Sequence, residues 1–161
     1  MNAVYRTQRG FTIIEVVLVL AIAGFIFLMV LVALPSLQRG QRDAQRKQDV
    51  TRISTQFTNY VSSTRGVVPN SPASLGKFVK GYLNGPSATT AGEEYRDPNG
   101  EPYGIKYNIT PDDIGNIGYY DKSSCVSDGS GEVTRTNTAR DFALVIKLEN
   151  QSAPYCIDNK A

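Results

Sequence analysis

Residues 16–34 form one uninterrupted apolar run, VVLVLAIAGFIFLMVLVAL, and no other feature limits the possible folds as strongly. As an α-helix the run is about 28 Å long at ~1.5 Å per residue, close to the ~30 Å hydrocarbon layer of a bilayer. Fourteen of its residues are Leu, Val, Ile or Phe. Together they favour insertion by roughly 4–8 kcal/mol. The run therefore reads as a membrane-spanning helix. The alternatives are a buried helix of a small soluble domain and a cleavable secretory signal. The stretch exceeds the ~7–15 residues of an ordinary signal core, and no Ala-x-Ala site follows it. The rest of the 161 residues is polar and has room for one small domain.

Charge is laid out in blocks. Residues 1–10 carry Arg6 and Arg9 and no acid, and residues 11–38 carry only Glu15. Residues 39–65 hold six bases against two acids, and residues 66–161 hold nine bases against twelve acids. A basic start, an apolar rod, a basic collar (Arg39, Arg42, Arg46, Lys47) and a mildly acidic body do not make a nucleic-acid-binding domain. The collar reads as a solvated helix face or as an electrostatic match to the acidic body of a neighbouring copy. Both ends of the run are flanked by bases, so loop charge alone favours the body inside. The sequence has no His and no Trp. Lack of His removes Ser-His-Asp and Cys-His nucleophilic sites and the commonest metal ligand. Two cysteines do not build a four-Cys zinc site. No enzyme activity, no catalytic residue, no cofactor and no metal site is expected.

The junction reads Arg9-Gly10-Phe11-Thr12-Ile13-Ile14-Glu15, with an acid at the mouth of the run. A charge there either reaches water at headgroup depth or needs a partner. Gly-Phe-Thr-Ile-Ile-Glu after a short basic leader resembles the class III signal of type IV pilins and pseudopilins. The resemblance implies a membrane peptidase that cuts after Gly10 and methylates the new N-terminal residue, Phe11. Removal of the leader takes away Arg6 and Arg9 and brings the formal charge from +2 to zero. It also implies that Glu15 of an incoming subunit meets the Phe11 amine of one already in a fibre. In low dielectric such a pair is strong and either charge alone is expensive.

Pro35 closes the run, and a kink or break is expected near 31–35. Residues 41–64 look helical again. Val50, Ile53, Phe57, Tyr60 and Val61 lay one apolar stripe, with charges expected on the opposite side. Gly66 is a candidate left-handed helix stop. Leu75–Leu83 suits a short helix. Asp97-Pro98-Asn99-Gly100-Glu101-Pro102-Tyr103 is a turn by its chemistry. Asp97, Asn99 and Glu101 offer oxygens there, but the spacing lacks the full calcium-loop set. Tyr103–Ile109 and Ala143–Leu148 alternate as strands do. The stretches Arg46-Lys47-x-Asp49-Val50 and onward, Asp97-Pro98…Tyr103…Tyr107, and the tail Leu148-Glu149-Asn150…Tyr155-Cys156-Ile157-Asp158-Asn159 are similar to pilin or pseudopilin segments. Cys125 and Cys156 are either a structural disulfide, which demands an oxidising compartment, or two buried thiols.

The expected fold is α+β: a long N-terminal α-helix whose second half packs on a small antiparallel β-sheet head. Residues 1–10 are the leader. Residues 11–64 are the helix, membrane-spanning over 11–35 and amphipathic over 36–64, and residues 65–161 are the head. The resemblance implies a structural subunit of a type IV pilus, processed at Gly10 and Phe11 and assembled through Glu15 and Phe11 into a helical homopolymer. Its implied partners are a prepilin peptidase, a pilus assembly platform and the membrane, with no specific nucleic acid. Its implied location is the cytoplasmic membrane, N-terminus in and head out, and after assembly an extracellular pilus. A minor pilin or pseudopilin of a secretion or DNA-uptake system is the alternative. A membrane-anchored extracellular binding module is the second.

Overall fold

The computed structural model describes residues 10–160. The expected leader lies outside the described residues except for Gly10. The order of elements is helix α1 (Ile13–Ser63), helix α2 (Pro72–Tyr82), then strands β1 (Gly104–Tyr107), β2 (Asn116–Asp121), β3 (Ser123–Cys125), β4 (Val133–Arg135), β5 (Phe142–Ile146) and β6 (Tyr155–Asp158). The chain divides into two units at Gln38/Arg39.

The first unit contains the N-terminal part of α1. Every large apolar side chain from Ile13 to Leu37 is exposed. The helix runs unbroken through Pro35, which corrects the expected break. Pro35 has no N–H to give to the fourth carbonyl before it, but the flanking Leu, Val and Ala residues keep the helix going. Ser36 Oγ donates to the Ala33 carbonyl at 2.9 Å beside it.

The second unit is an α+β head built on the rest of α1. Val50, Ile53 and Phe57 are fully buried, and Tyr60 and Val61 pack at the edge of the core. The i, i+3, i+7 spacing puts all of them on one side of the helix. The Phe57 ring stacks on Phe78 of α2 with centroids 3.7 Å apart, and on Tyr119 of β2 at 4.6 Å. The helix ends where Gly66 N–H donates to the Val61 carbonyl at 2.7 Å. Arg65 and Gly66 both take positive φ there (59° and 89°), so the left-handed stop begins one residue before the glycine. Helix α2 starts at Pro72, ahead of the expected Leu75. Ser71 caps it in a reciprocal box with Ser74, and Pro72 supplies a preset φ at the first position.

Four strands form the main sheet in the order β1-β2-β5-β6, and β3-β4 form a separate ribbon. The β2-β5 and β5-β6 pairs are antiparallel, whereas β1 runs parallel to β2. The sheet is thus antiparallel with one parallel pair. The connection over 108–115 allows that pair: Asn108 (φ 50°) opens it and Gly115 (φ 86°) closes it. All five residues of β5 are buried, so this central strand is apolar on both faces instead of alternating. The outer edge of β1 is covered by residues 89–91, with Ile105 N–H donating to the Thr89 carbonyl at 2.7 Å.

Candidate functional site

Gly10 and Phe11 precede α1 and are exposed. Glu15 lies in the first turn of the helix. One of its carboxylate oxygens, Oε2, accepts the Thr12 N–H at 3.0 Å and the Thr12 hydroxyl at 3.0 Å. The Glu15 N–H in turn donates to Thr12 Oγ1 at 3.3 Å. Thr-x-x-Glu is the sequence signature of a capping box. The signature stands in the sequence as Thr12-Ile13-Ile14-Glu15. Beyond the box, exposed apolar side chains continue to Leu37. Apolar surface of that extent needs lipid or protein against it. The helix is long and apolar enough to cross a membrane.

In the second unit three of the four collar bases find partners within the head, while Arg39 is exposed. Arg46 is 0% exposed. Its guanidinium forks onto Asp97, Nε to Oδ2 at 2.6 Å and Nη2 to Oδ1 at 3.1 Å. Nη1 reaches Asp43 Oδ1 at 3.0 Å and Glu149 Oε1 at 2.8 Å. Arg42 holds the same Glu149 with a fork of 2.8 and 2.5 Å. Asp43 in addition accepts the backbone N–H groups of Glu149 and Asn150, each at 2.9 Å. Lys47 sits over the Tyr155 ring at 5.1 Å and Arg52 over Tyr95 at 5.0 Å. Arg42, Arg46 and Lys47 are therefore matched to acids and an aromatic ring of their own head. Both oxygens of Asp97 serve Arg46, so the turn at 97–103 is pinned by a guanidinium. Desolvation alone would lower the Arg46 pKa, but its bonds to Asp97, Glu149 and Asp43 raise it above the ordinary arginine value. Desolvation raises the nearby Asp49 carboxyl, against the Tyr103 hydroxyl that donates to it at 3.1 Å.

This arrangement also reverses the expected polarity of the helix. Of the charged residues over 41–63, only Arg52 is exposed. The uncharged outward positions are Gln41, Ala44, Gln45, Gln48, Thr51, Thr55, Thr58, Asn59, Ser62 and Ser63. Charges flank the apolar stripe on the head side because the head supplies their partners.

Cys125 of β3 and Cys156 of β6 form a disulfide. It joins the ribbon to the main sheet, and Cys125 N–H also donates to Asp158 Oδ2 at 2.8 Å. Reduction, or the double change Cys125→Ser/Cys156→Ser, is expected to lower the unfolding free energy by about 3–4 kcal/mol. Denaturant melts of the detergent-solubilised chain with and without reductant measure this. Superimposable curves would show that the bond adds nothing.

Residues 5–31 match the family model described as the prokaryotic N-terminal methylation motif. This is the class III signal of type IV pilins and pseudopilins, and it marks structural subunits, not an enzyme family. The match covers the junction and most of the apolar run and stops before the head. No curated protein and no solved structure matched the chain. The motif implies processing by a prepilin peptidase. Motif and apolar helix together support a membrane-anchored precursor.

Proposed function

We propose that the chain is a type IV pilin: a precursor cut after Gly10, methylated at Phe11, and polymerised through α1 into a surface filament. The observation that carries this reading is the methylation motif at 5–31, set on a helix whose large apolar residues are exposed from Ile13 to Leu37. Residues 1–10 are then the leader, 11–64 the assembly helix and 65–161 the head. Gly10 and Phe11 are the processing residues, and Phe11 and Glu15 are the assembly pair. Before assembly the chain sits in the cytoplasmic membrane, N-terminus in. A disulfide in the head supports its export to an oxidising compartment. The prepilin peptidase, an assembly platform and further copies of the chain are its partners. Head-to-tail contacts that do not close on themselves give a filament. A minor pilin or pseudopilin would use the same chemistry, and abundance in sheared filaments separates these roles.

Intact-mass analysis of the exported protein tests the proposal. The expected mass lacks residues 1–10 and carries one added CH2 group on an N-terminal Phe11. An exported chain that still begins at Met1 rejects it.

A further inference from the structure

Glu15 does not stand alone at the junction. Its Oε2 is held by the N–H and the hydroxyl of Thr12, both at 3.0 Å, and none of these bonds uses Oε1. The Thr12 hydroxyl both donates and accepts here, since its oxygen also takes the Glu15 N–H at 3.3 Å. Phe11 beside it is 89% exposed.

We propose that Thr12 is a positioning residue for assembly: it fixes Glu15 through Oε2 and so presents Oε1 to the Phe11 ammonium of a second processed copy. The proposal rests on the filament function above and names the group that prepares the assembly pair. Three physical points carry it.

A carboxylate carried at the edge of an apolar segment is costly when its oxygens lack donors. Two donors on Oε2 reduce that cost in the unassembled chain, before any neighbour arrives. A free Glu side chain samples several rotamers, and ordering it on contact opposes binding. The box settles that order beforehand. Finally, the box survives processing. Water adds to the Gly10 carbonyl, the Gly10–Phe11 amide breaks, and the products are the Gly10 carboxylate and the Phe11 ammonium. The Phe11–Thr12 peptide is untouched, so the Thr12 N–H still donates to Glu15 after the cut. Only Ser or Thr at this position both donates to the carboxylate and accepts from the Glu15 N–H through one oxygen.

The test compares Thr12→Val, Thr12→Ser and Glu15→Ala in the full-length chain, in cells that assemble the filament. Cleavage is read by mass, membrane retention by fractionation, and assembly by sheared-filament yield. Thr12→Val is expected to be cleaved and retained normally while filament yield falls about ten-fold, the scale of one lost charge-assisted hydrogen bond. Thr12→Ser is expected to restore the yield, which a loss of bulk or apolar packing would not explain. Wild-type yield from Thr12→Val, or failure of Thr12→Ser as deep as that of Val, overturns the role of Thr12. If Thr12→Val assembles while Glu15→Ala does not, the assembly pair stands without Thr12. If Glu15→Ala assembles normally, the pair itself has failed and Thr12 has nothing to position. Should Thr12→Val resist cleavage, hydrogen exchange at the Glu15 amide in the uncleaved, detergent-solubilised chain reads the box directly. Faster exchange in Thr12→Val supports it, and equal rates overturn it.

Discussion

Replacement of Arg46 by Met is expected to lower the unfolding free energy by about 3–5 kcal/mol, among the largest effects of any single change in the head. Met has a similar length and apolar stem, so little cavity is left and the loss is electrostatic. Asp97, 3% exposed, would keep two buried oxygens with no guanidinium, and Glu149 would lose one of its two arginines. Arg46→Lys retains the charge but not the fork, and should fall between Met and the wild type. Chemical unfolding of the full chain measures all three. The acid limb of the same experiment supplies the sign. Arg42's hydrogen bonds, opposed by desolvation and aided by Arg46, hold Glu149 down from 4.5 to about 2. A depressed carboxyl stabilises the fold above its unfolded value, and that stabilisation disappears as pH falls from about 4.5 towards 2. In Arg46→Met the acid loss should be smaller, since part of the pairing is already gone. Equal stability of Met and wild type at neutral pH would show that the buried cluster contributes no net stability.

The second large effect is on assembly. Glu15→Ala is expected to enter the membrane and be cut after Gly10, yet to yield no detectable filament. Two unit charges at ~4 Å interact by about 4 kcal/mol at an effective dielectric of ~20, equivalent to roughly a thousand-fold per contact. The loss recurs at every subunit added, so it compounds along a polymer. Ala also removes the partner that makes a Phe11 ammonium tolerable in apolar surroundings. Sheared-filament yield, with the N-terminal mass of the membrane fraction as control, decides it. Abundant filaments from Glu15→Ala would end the pairing role.

What the sequence disclosed, and what it hid, follows from the range of the interactions. The apolar run and the Val50, Ile53 and Phe57 stripe are periodic along one helix, so spacing alone reveals them. Apolar spacing begins at Leu75 and so places the α2 start three residues late, whereas the helix is begun by the Ser71 cap and Pro72. The partners of the collar were invisible. Asp97 and Glu149 lie 51 and 103 residues from Arg46, and no local pattern encodes such a pairing. Read locally, six bases against two acids look solvated. The parallel β1-β2 pair was hidden for a similar reason, since strand direction depends on the path of residues 108–115 and on positive φ at Asn108. At the junction the opposite holds: the Thr12–Glu15 box lies within four consecutive residues, in reach of a local pattern.

The bond between Cys125 and Cys156 encloses the loop between β3 and β4, where Ser127, Asp128 and Gly129 are exposed. Exposed loop tips are where proteases cut first. A single nick there would leave both fragments covalently joined, with β5 still paired to β2 and β6. A head built this way tolerates scission in that loop without shedding either piece.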